Sequence, residues 1–447
     1  MRRLILAAIF LLANNGFAEE DPSLDLAVKE TLDPLVEEGY LPAYYLSVIN
    51  EDGALLEKGK GSSGNLNHFE PDGETRFALL DLSKPVIAVA ALKLVSEGSL
   101  ELNAPISSYL PEFKHSSSQR RDYFAKEATV RDLFTHTAGF TNNLDHSVGR
   151  RGILGDDSPS NRLSKTYHEK DMFTLRSLVS SDRQRGSLEN QVNRLAKLPL
   201  LYEPRTSFEY SVATEVLGRM VEVVSGKTLD VALQKLLFDH LDMQDTGFYL
   251  PAEEQGDRAI LMKPLIRTFP VPGDYQRYER YPFPAEDISG IGQRANYLSG
   301  GFGLVSTGDD MAKFVRFLLK TSMTDSESGY FSPDIAKLIF DNQLPQGIGG
   351  SPLAGKLPRA NNDGFSLLLN IRTKQNRYEE KITREQADYY YWSGFSSSVI
   401  WIDNKKELAG IFLSQMRPPQ DYLISKLVRM ARTSNILNEK AARIDAD

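Results

Sequence analysis

Asp81 and Lys84 are the residues of this chain whose types and spacing most clearly suggest chemistry. They stand three residues apart in Asp81-Leu82-Ser83-Lys84, at the start of a long apolar run. Side chains at positions i and i+3 of a helix share a face, so we expect the carboxylate and the amine to form an ion pair. The plainest role for Asp81 is a helix N-cap that pairs with Lys84. The alternative is covalent chemistry through the carboxylate, which is a feeble nucleophile toward amides.

Other features of the sequence argue against several functional classes. The six histidines fall in no metal-ligand spacing and His-Glu-x-x-His is absent, so a zinc hydrolase is a poor interpretation. No Gly-x-Ser-x-Gly elbow occurs, which disfavours an α/β-hydrolase. The formal charge is −8 and no basic stripe is present, so we expect no nucleic-acid partner. We also expect no cofactor and no metal.

Two apolar helices are expected to position the reactive groups. Residues 82–97 are apolar on nearly all sides, which predicts a buried helix. Pro85 is tolerable there because it lies in the first turn, and Gly98 supplies the stop. A second buried helix is expected over residues 214–224, ending at Gly226.

Strands are expected at both ends of the chain. Residues 44–50 with 55–59, and 399–402 with 408–413, have the composition and turn residues of β-hairpins. The tyrosine run 389–391 fits alternating faces of a strand, and we expect Trp401 in the core. A final amphipathic helix is expected over 421–432. This order predicts an α/β layer assembled from the two termini, with an inserted helical region.

Several segments resemble the motifs of one family, the serine β-lactamase and penicillin-binding-protein superfamily. Within it the closest resemblance is to the class C β-lactamase and family VIII carboxylesterase branch. The segments are FALLDLSKP (77–85), ATVRDLFTHTAGF (128–140), LPLLYEPRTSFEYSVATEVLGRMVEVVSGKTL (198–229), LSGGFGLVSTGDDMAKFVRFLL (298–319) and YYWSGFSSSVIWID (390–403).

The resemblance implies a fold of class α/β plus α, β-lactamase/transpeptidase-like, with an antiparallel sheet flanked by helices. The predicted domain covers residues 19–433. Its α/β part takes about 19–115 and 360–433, its helical part takes about 116–359, and a polar tail follows at 434–447.

The resemblance also implies a serine nucleophile that is activated by a lysine three residues later. In this branch a Phe stands four residues before the serine, and counting from Phe77 puts Asp81 in the serine position. Ser83 cannot take its place, because the residue three positions after it is Val86 rather than Lys.

The other motifs supply the remaining members of the implied site. The second motif places its tyrosine, which completes the proton relay, at Tyr210. The third motif falls on Trp392-Ser393-Gly394, and the backbone N–H groups of Asp81 and Phe395 are the implied oxyanion donors. The candidate site residues are therefore Asp81, Lys84, Tyr210, Trp392, Gly394 and Phe395. His136 is expected to be structural.

Asp81 disturbs each part of this machinery. A carboxylate has no proton to give up, and its charge lies beside the oxyanion donors. We expect it to raise the pKa of Lys84 and keep that lysine charged. Arg205, Asp242, Ser393 and Ser397 stand where the family has glycines. Their presence suggests that the backbone around the cleft is no longer constrained by the requirements of catalysis.

Three hypotheses follow. The first is a pseudoenzyme that keeps a cleft for a small-molecule ester, a peptide or a peptidoglycan-like ligand. The second is an active esterase-type acyl hydrolase of small esters or amides, in which Asp81 forms a mixed anhydride with the substrate. In the third, Asp81 is an engineered or strain-specific change in an otherwise working enzyme.

The N-terminus predicts export. Met1-Arg2-Arg3 precedes an apolar run at 4–13 and a cleavage site with small residues that ends at Ala18. This pattern is typical of a secretory signal peptide over 1–18. The chain has no Cys, and we expect a bacterial periplasmic or secreted protein without a transmembrane anchor. The sequence leaves open the oligomeric state, and whether residues 142–184 close over the cleft.

Overall fold

The fold is seen in a computed structural model. It describes residues 22–37, 41–61, 70–114, 126–142, 187–249, 262–264, 278–280, 297–323, 329–348, 363–373, 384–416 and 423–433, with Leu163, Thr166 and Met172. The predicted signal peptide, the polar tail and nearly all of the 142–184 segment lie outside the described residues.

One seven-stranded antiparallel sheet organises the described part of the chain. Its strands are β1 Ala43–Ile49, β2 Ala54–Gly61, β7 Gly364–Phe365, β8 Asn370–Thr373, β9 Ala387–Ser393, β10 Val399–Asp403 and β11 Leu408–Leu413. Four short strands of the described chain lie outside it and form two pairs: β3 Arg76–Ala78 with β6 Val305–Thr307, and β4 Met262–Pro264 with β5 Tyr278–Arg280. The order in the sheet is β2-β1-β11-β10-β9-β8-β7. Because β1 pairs directly with β11, the predicted assembly of the sheet from both ends of the chain is confirmed.

Helices lie in the sequence between and around these strands. They are α1 Pro22–Thr31, α2 Asp33–Glu37, α3 Ser83–Ser96, α4 Val130–Phe134, α5 Leu188–Leu195, α6 Ala213–Ser225, α7 Leu229–Leu233, α8 Asp239–Leu241, α9 Gly308–Met323, α10 Pro333–Phe340 and α11 Leu423–Thr433. Both predicted buried helices, α3 and α6, are present within one residue or so of their expected bounds. The antiparallel sheet flanked by helices matches the predicted fold class. None of the helices within the described ranges is long and apolar enough to cross a membrane.

The two faces of the sheet bury different side chains because successive strand residues point to opposite sides. Tyr389, Tyr391 and Trp401 belong to the core that packs against α1 and α11. Tyr390 and Trp392 belong to the larger core, which also contains α3. The tyrosine run is therefore explained by strand alternation, and Trp401 is a core residue, as expected.

Asp363, just before β7, makes stability depend on pH. It is 3% exposed, accepts a hydrogen bond of 2.8 Å from the Tyr391 hydroxyl, and pairs with Arg372 at 3.1 Å. Burial raises the pKa of Asp363 from 3.8 to about 6, against the opposing effects of Arg372 and Tyr391. A raised carboxyl pKa contributes stability that is fully present below the unfolded value and is lost as the pH rises through the folded value.

We expect Asp363→Asn to remove this pH dependence. Between about pH 4 and pH 7, the free energy of unfolding of the parent should fall by up to about 3 kcal/mol relative to that of the variant. Urea denaturation of both proteins at a series of pH values measures the difference. Parallel stability curves would show that Asp363 is not held protonated by the fold.

Candidate active site

Asp81 lies in a tight helical turn that leads into α3. The 3-10 turn Leu80–Leu82 precedes Ser83, and Leu80 has a φ of 48°, in the left-handed region that L-residues rarely adopt. No side chain caps α3, so the expectation that Asp81 is an N-cap is wrong. The physical reason is that Leu82, not Asp81, is the residue before α3, and the Asp81 carboxylate accepts its hydrogen bonds from Lys84, Tyr210 and Phe395 instead.

Three donors from different parts of the chain converge on the Asp81 carboxylate. Oδ1 accepts from Lys84 Nζ at 3.0 Å and from the Tyr210 hydroxyl at 2.5 Å. Oδ2 accepts from the backbone N–H of Phe395 at 2.9 Å. The predicted pairing with Lys84 is present, and Asp81 is only 5% exposed. Both carboxylate oxygens are thus held by fixed donors.

Lys84 is buried among an acid, a carbonyl and aromatic rings. Besides Asp81, Nζ donates to the carbonyl of Gly301 at 3.0 Å and lies 3.6 Å from the centroid of the Phe302 ring. Burial lowers the pKa of Lys84, and this outweighs the raising effects of Asp81 and Glu215. The prediction that the pKa of Lys84 is raised is therefore wrong. Asp81 does raise this pKa, but burial lowers it by more.

Tyr210 and His136 form the aromatic side of the site. The pKa of Tyr210 is raised well above its ordinary value by burial and by the Asp81 carboxylate, so its hydroxyl stays a proton donor. His136 lies beside it with a ring-centroid distance of 5.0 Å. Its Nδ1 accepts the backbone N–H of Ser211 at 3.3 Å, and burial lowers its pKa to about 3. His136 is thus a neutral ring bonded to backbone, as expected.

The end of β9 supplies the third side of the site. Trp392 is buried, and its Nε1 donates to the backbone carbonyl of Asp81 at 2.9 Å. A Cβ added to Gly394 would lie 3.0 Å from the Leu82 side chain and 3.4 Å from Asp81 Cβ, so glycine allows the chain just after β9 to approach the 3-10 turn that contains Asp81. The structure therefore brings all six predicted site residues together.

The replaced glycine positions keep a glycine-like backbone at three of the four sites. Arg205, Asp242 and Ser397 have φ values of 70°, 55° and 64°, while Ser393 ends β9 in an extended strand. Arg205 compensates by pairing its Nε with buried Asp132 at 3.0 Å. At these three positions the backbone has the left-handed conformation that suits glycine, and the side chain makes that conformation strained.

Asp242→Gly should relieve one of these strains. Asp242 is exposed at the C-terminus of α8, and an L-residue in the left-handed region costs about 1 kcal/mol. We expect the free energy of unfolding to rise by up to about 1 kcal/mol, less the entropy that glycine gains in the unfolded chain. Chemical denaturation checks this, with Asp242→Ala as the matched control that keeps the strain. Equal stability of the two variants would rule it out.

Sequence reasoning missed Glu215, on α6. It is fully buried and accepts from Ser299 Oγ at 2.5 Å and from the backbone N–H groups of Gly300 and Gly301 at 2.8 and 3.1 Å. The available signal was an acidic residue inside a helix that the sequence predicts to be buried. Such a residue needs partners, and here they are the glycine-rich segment that also binds Lys84.

The described ranges contain no cluster of His, Cys, Asp and Glu side chains suited to a metal ion. The arrangement places two proton-carrying groups, Lys84 and Tyr210, on the same oxygen of residue 81, and adds the backbone N–H of Phe395 as a hydrogen-bond donor. That combination is the one that acyl transfer to a serine requires.

Comparison with known proteins assigns the class. The β-lactamase family model matches residues 28–433, and the chain belongs to that family. Esterase EstB of Burkholderia gladioli is 29% identical over 248 residues, which cover 54% of this chain and 56% of the esterase. The matched stretch therefore spans just over half of that relative.

Two further comparisons extend over more of the chain. The lovastatin esterase of Penicillium rubens is 27% identical over 371 residues, 77% of this chain and 80% of the esterase. The solved structure of EstCE1, a hydrolase with promiscuous acyltransferase activity, superposes with a TM-score of 0.67 at 20% identity, covering 88% and 94% of the two chains. At that identity the superposition shows the shared fold.

Proposed function

We propose that this protein is a catalytically silent member of the β-lactamase family that keeps a ligand cleft. One observation carries the proposal: the backbone N–H of Phe395 donates to the Asp81 carboxylate. The donor that an oxyanion would need is already occupied by an anion of the protein itself. Asp81 stands where the family resemblance expects the serine nucleophile.

The proton relay is occupied in the same way. Tyr210 and Lys84 both donate to Asp81 Oδ1, so both groups of the relay stabilise a carboxylate instead of accepting a proton from a hydroxyl. A substrate carbonyl would have to displace Phe395 from Asp81 Oδ2 and would then meet a negative charge. Both effects raise the barrier to acyl transfer.

The surroundings of Asp81 indicate which ligands the cleft would accept. Phe208, Tyr210 and Phe395 are half-buried, and Phe365 and Trp392 are buried. The Phe208 and Phe365 ring centroids lie 5.3 Å apart, and those of Tyr210 and Trp392 lie 5.8 Å apart. Aromatic walls favour neutral ligands with apolar groups, such as a small ester, a peptide or a peptidoglycan-like fragment.

The experiment is covalent labelling with a fluorophosphonate probe. The unmodified protein should remain unlabelled, because Asp81 offers no hydroxyl to phosphonylate. Asp81→Ser should be labelled at residue 81, and Asp81→Ala serves as the control for labelling elsewhere. Rapid labelling of the unmodified protein at its active site would overturn the proposal.

An active acyl hydrolase is the second candidate, favoured by the esterase names of two relatives and by the intact Lys84 and Tyr210 positions. Asp81 Oδ2 would attack the ester carbonyl to form a mixed anhydride, and the alcohol would leave with the proton of Tyr210. Water would then cleave the anhydride to the product acid and the Asp81 carboxylate, and one of the two protons released would return to Tyr210. We also propose export to the periplasm or beyond, from the N-terminal pattern at residues 1–18.

A further inference from the structure

Glu215 is a buried acid near Lys84 that is not among the six predicted site residues. Its carboxylate and the Lys84 ammonium are separated by one residue, Gly301. A Cβ added to Gly301 would lie 2.9 Å from Glu215 Oε1 and 3.4 Å from Lys84 Nζ. A side chain at this position would have to push the Glu215 carboxylate aside, so glycine keeps the acid and the lysine close to the same backbone segment.

The same residue ties Glu215 to Lys84 through the backbone. Gly301 donates its N–H to Glu215 Oε1 and offers its carbonyl to Lys84 Nζ at 3.0 Å. Ser299 Oγ and the Gly300 N–H also bind the Glu215 carboxylate. The segment 299–301 therefore donates hydrogen bonds to the Glu215 carboxylate and accepts one from the Lys84 ammonium.

We propose that Glu215 is a positioning residue for Lys84, which fixes the carbonyl that the lysine binds and holds the lysine as an ammonium. The proposal deepens the silent-site function, because it explains how a buried lysine is kept in place when no serine needs it. Two carboxylates, Asp81 and Glu215, then share one cation inside the protein. Without such partners a buried ammonium loses its proton.

All titratable groups around Lys84 in the described part of the chain fit this arrangement. Asp81 and Glu215 both raise the pKa of Lys84, and burial lowers it. Burial raises the pKa of Glu215, while Ser299 and Lys84 lower it. Tyr210 and Tyr297 are held protonated and His136 neutral, so none of the three supplies a competing charge.

The test is an NMR titration of Lys84 in the full chain labelled with carbon-13 lysine, with the signal assigned by Lys84→Met. In Glu215→Gln the proton affinity of Lys84 should fall by about tenfold, equivalent to one pKa unit. Ser299→Ala is the matched control: it removes a hydrogen bond from Glu215 but keeps the charge. It should lower thermal stability and leave the Lys84 titration in place.

An unchanged Lys84 titration in folded Glu215→Gln would overturn the proposal and leave Glu215 a purely structural residue. Should Glu215→Gln not fold, reciprocity supplies the second measurement, since coupling between two sites is mutual. In Lys84→Met the titration midpoint of Glu215, read with carbon-13 glutamate, should rise by the same factor. A midpoint that stays in place would equally overturn the proposal.

These titrations need no turnover, so they separate the two claims. An active unmodified protein would overturn the silent-site proposal while the Lys84 titration still decided the role of Glu215. If Asp81→Ser is active, its kcat/KM should rise with pH as Lys84 loses its proton. Adding Glu215→Gln should move that rise to lower pH, which a merely structural role would not do.

Discussion

Replacing Asp81 by Ser should create ester hydrolysis that the unmodified protein lacks. Serine would place a hydroxyl within reach of Tyr210 and Lys84 and would free the backbone N–H of Phe395 for an oxyanion. Loss of Asp81 also removes a charge that raises the pKa of Lys84, so a larger fraction of the lysine is neutral and able to accept a proton at neutral pH.

We expect the rate of hydrolysis of short-chain p-nitrophenyl esters to rise by at least about 1,000-fold over the unmodified protein, because serine supplies the missing nucleophile and, once a nucleophile is present, one oxyanion donor contributes roughly 100–1,000-fold. Asp81→Ala is the control that frees the same donor without adding a nucleophile, and it should stay at background. Equal rates for all three proteins would mean that the cleft has lost more than its nucleophile. Activity in the unmodified protein that Asp81→Ala abolishes would favour the esterase alternative.

Lys84→Met should cause the largest loss of stability at this site. Lys84 is 2% exposed, and its ammonium pairs with Asp81 at 3.0 Å while Glu215 lies nearby. Removing one partner from a buried ion pair typically costs about 3–5 kcal/mol, because the remaining charge stays buried without compensation. The free energy of unfolding from urea titrations measures this loss at neutral pH.

Two controls separate charge from packing in that experiment. Lys405→Met removes an exposed lysine in the turn between β10 and β11 and should change stability by less than about 0.5 kcal/mol. Adding Asp81→Asn to Lys84→Met removes one of the uncompensated carboxylates and should recover a large part of the loss. If the double variant is no more stable than Lys84→Met, the loss comes from packing around the lysine stem.

Much of the fold was predictable because the deciding signals are local. The apolar run after Lys84 specified α3, and Gly226, with a φ of 65°, ends α6 at the position where the sequence predicts it. Both hairpins followed from β-branched residues flanking turn residues. The pairing of β1 with β11 required the order of elements and the family resemblance, since no local pattern specifies a partner so distant in sequence.

The sequence predicted which residues form the candidate site, but it did not predict their net pKa shifts. Motif positions brought Asp81, Lys84 and Tyr210 together, whereas the net pKa direction of Lys84 depends on how deeply the fold buries it, which spacing does not reveal. The N-cap role of Asp81 failed for a related reason. The 3-10 turn at Leu80–Leu82 directs the carboxylate to Phe395, which lies more than 300 residues away in the chain.

The most direct test of the silent site is a reaction of the unmodified protein with a p-nitrophenyl ester in oxygen-18 water, followed by mass analysis of the peptide that contains Asp81. Asp81 held by Lys84, Tyr210 and Phe395 should not attack the ester, so p-nitrophenol release should stay at background and the peptide mass should stay unchanged. Both readouts are needed, because water that cleaves an anhydride at the substrate carbonyl leaves the label in the released acid. Asp81→Ser run in parallel confirms that ester reaches the site. Oxygen-18 in the Asp81 carboxylate would show that an anhydride formed and was cleaved by water, and the protein would then be an esterase with an aspartate nucleophile.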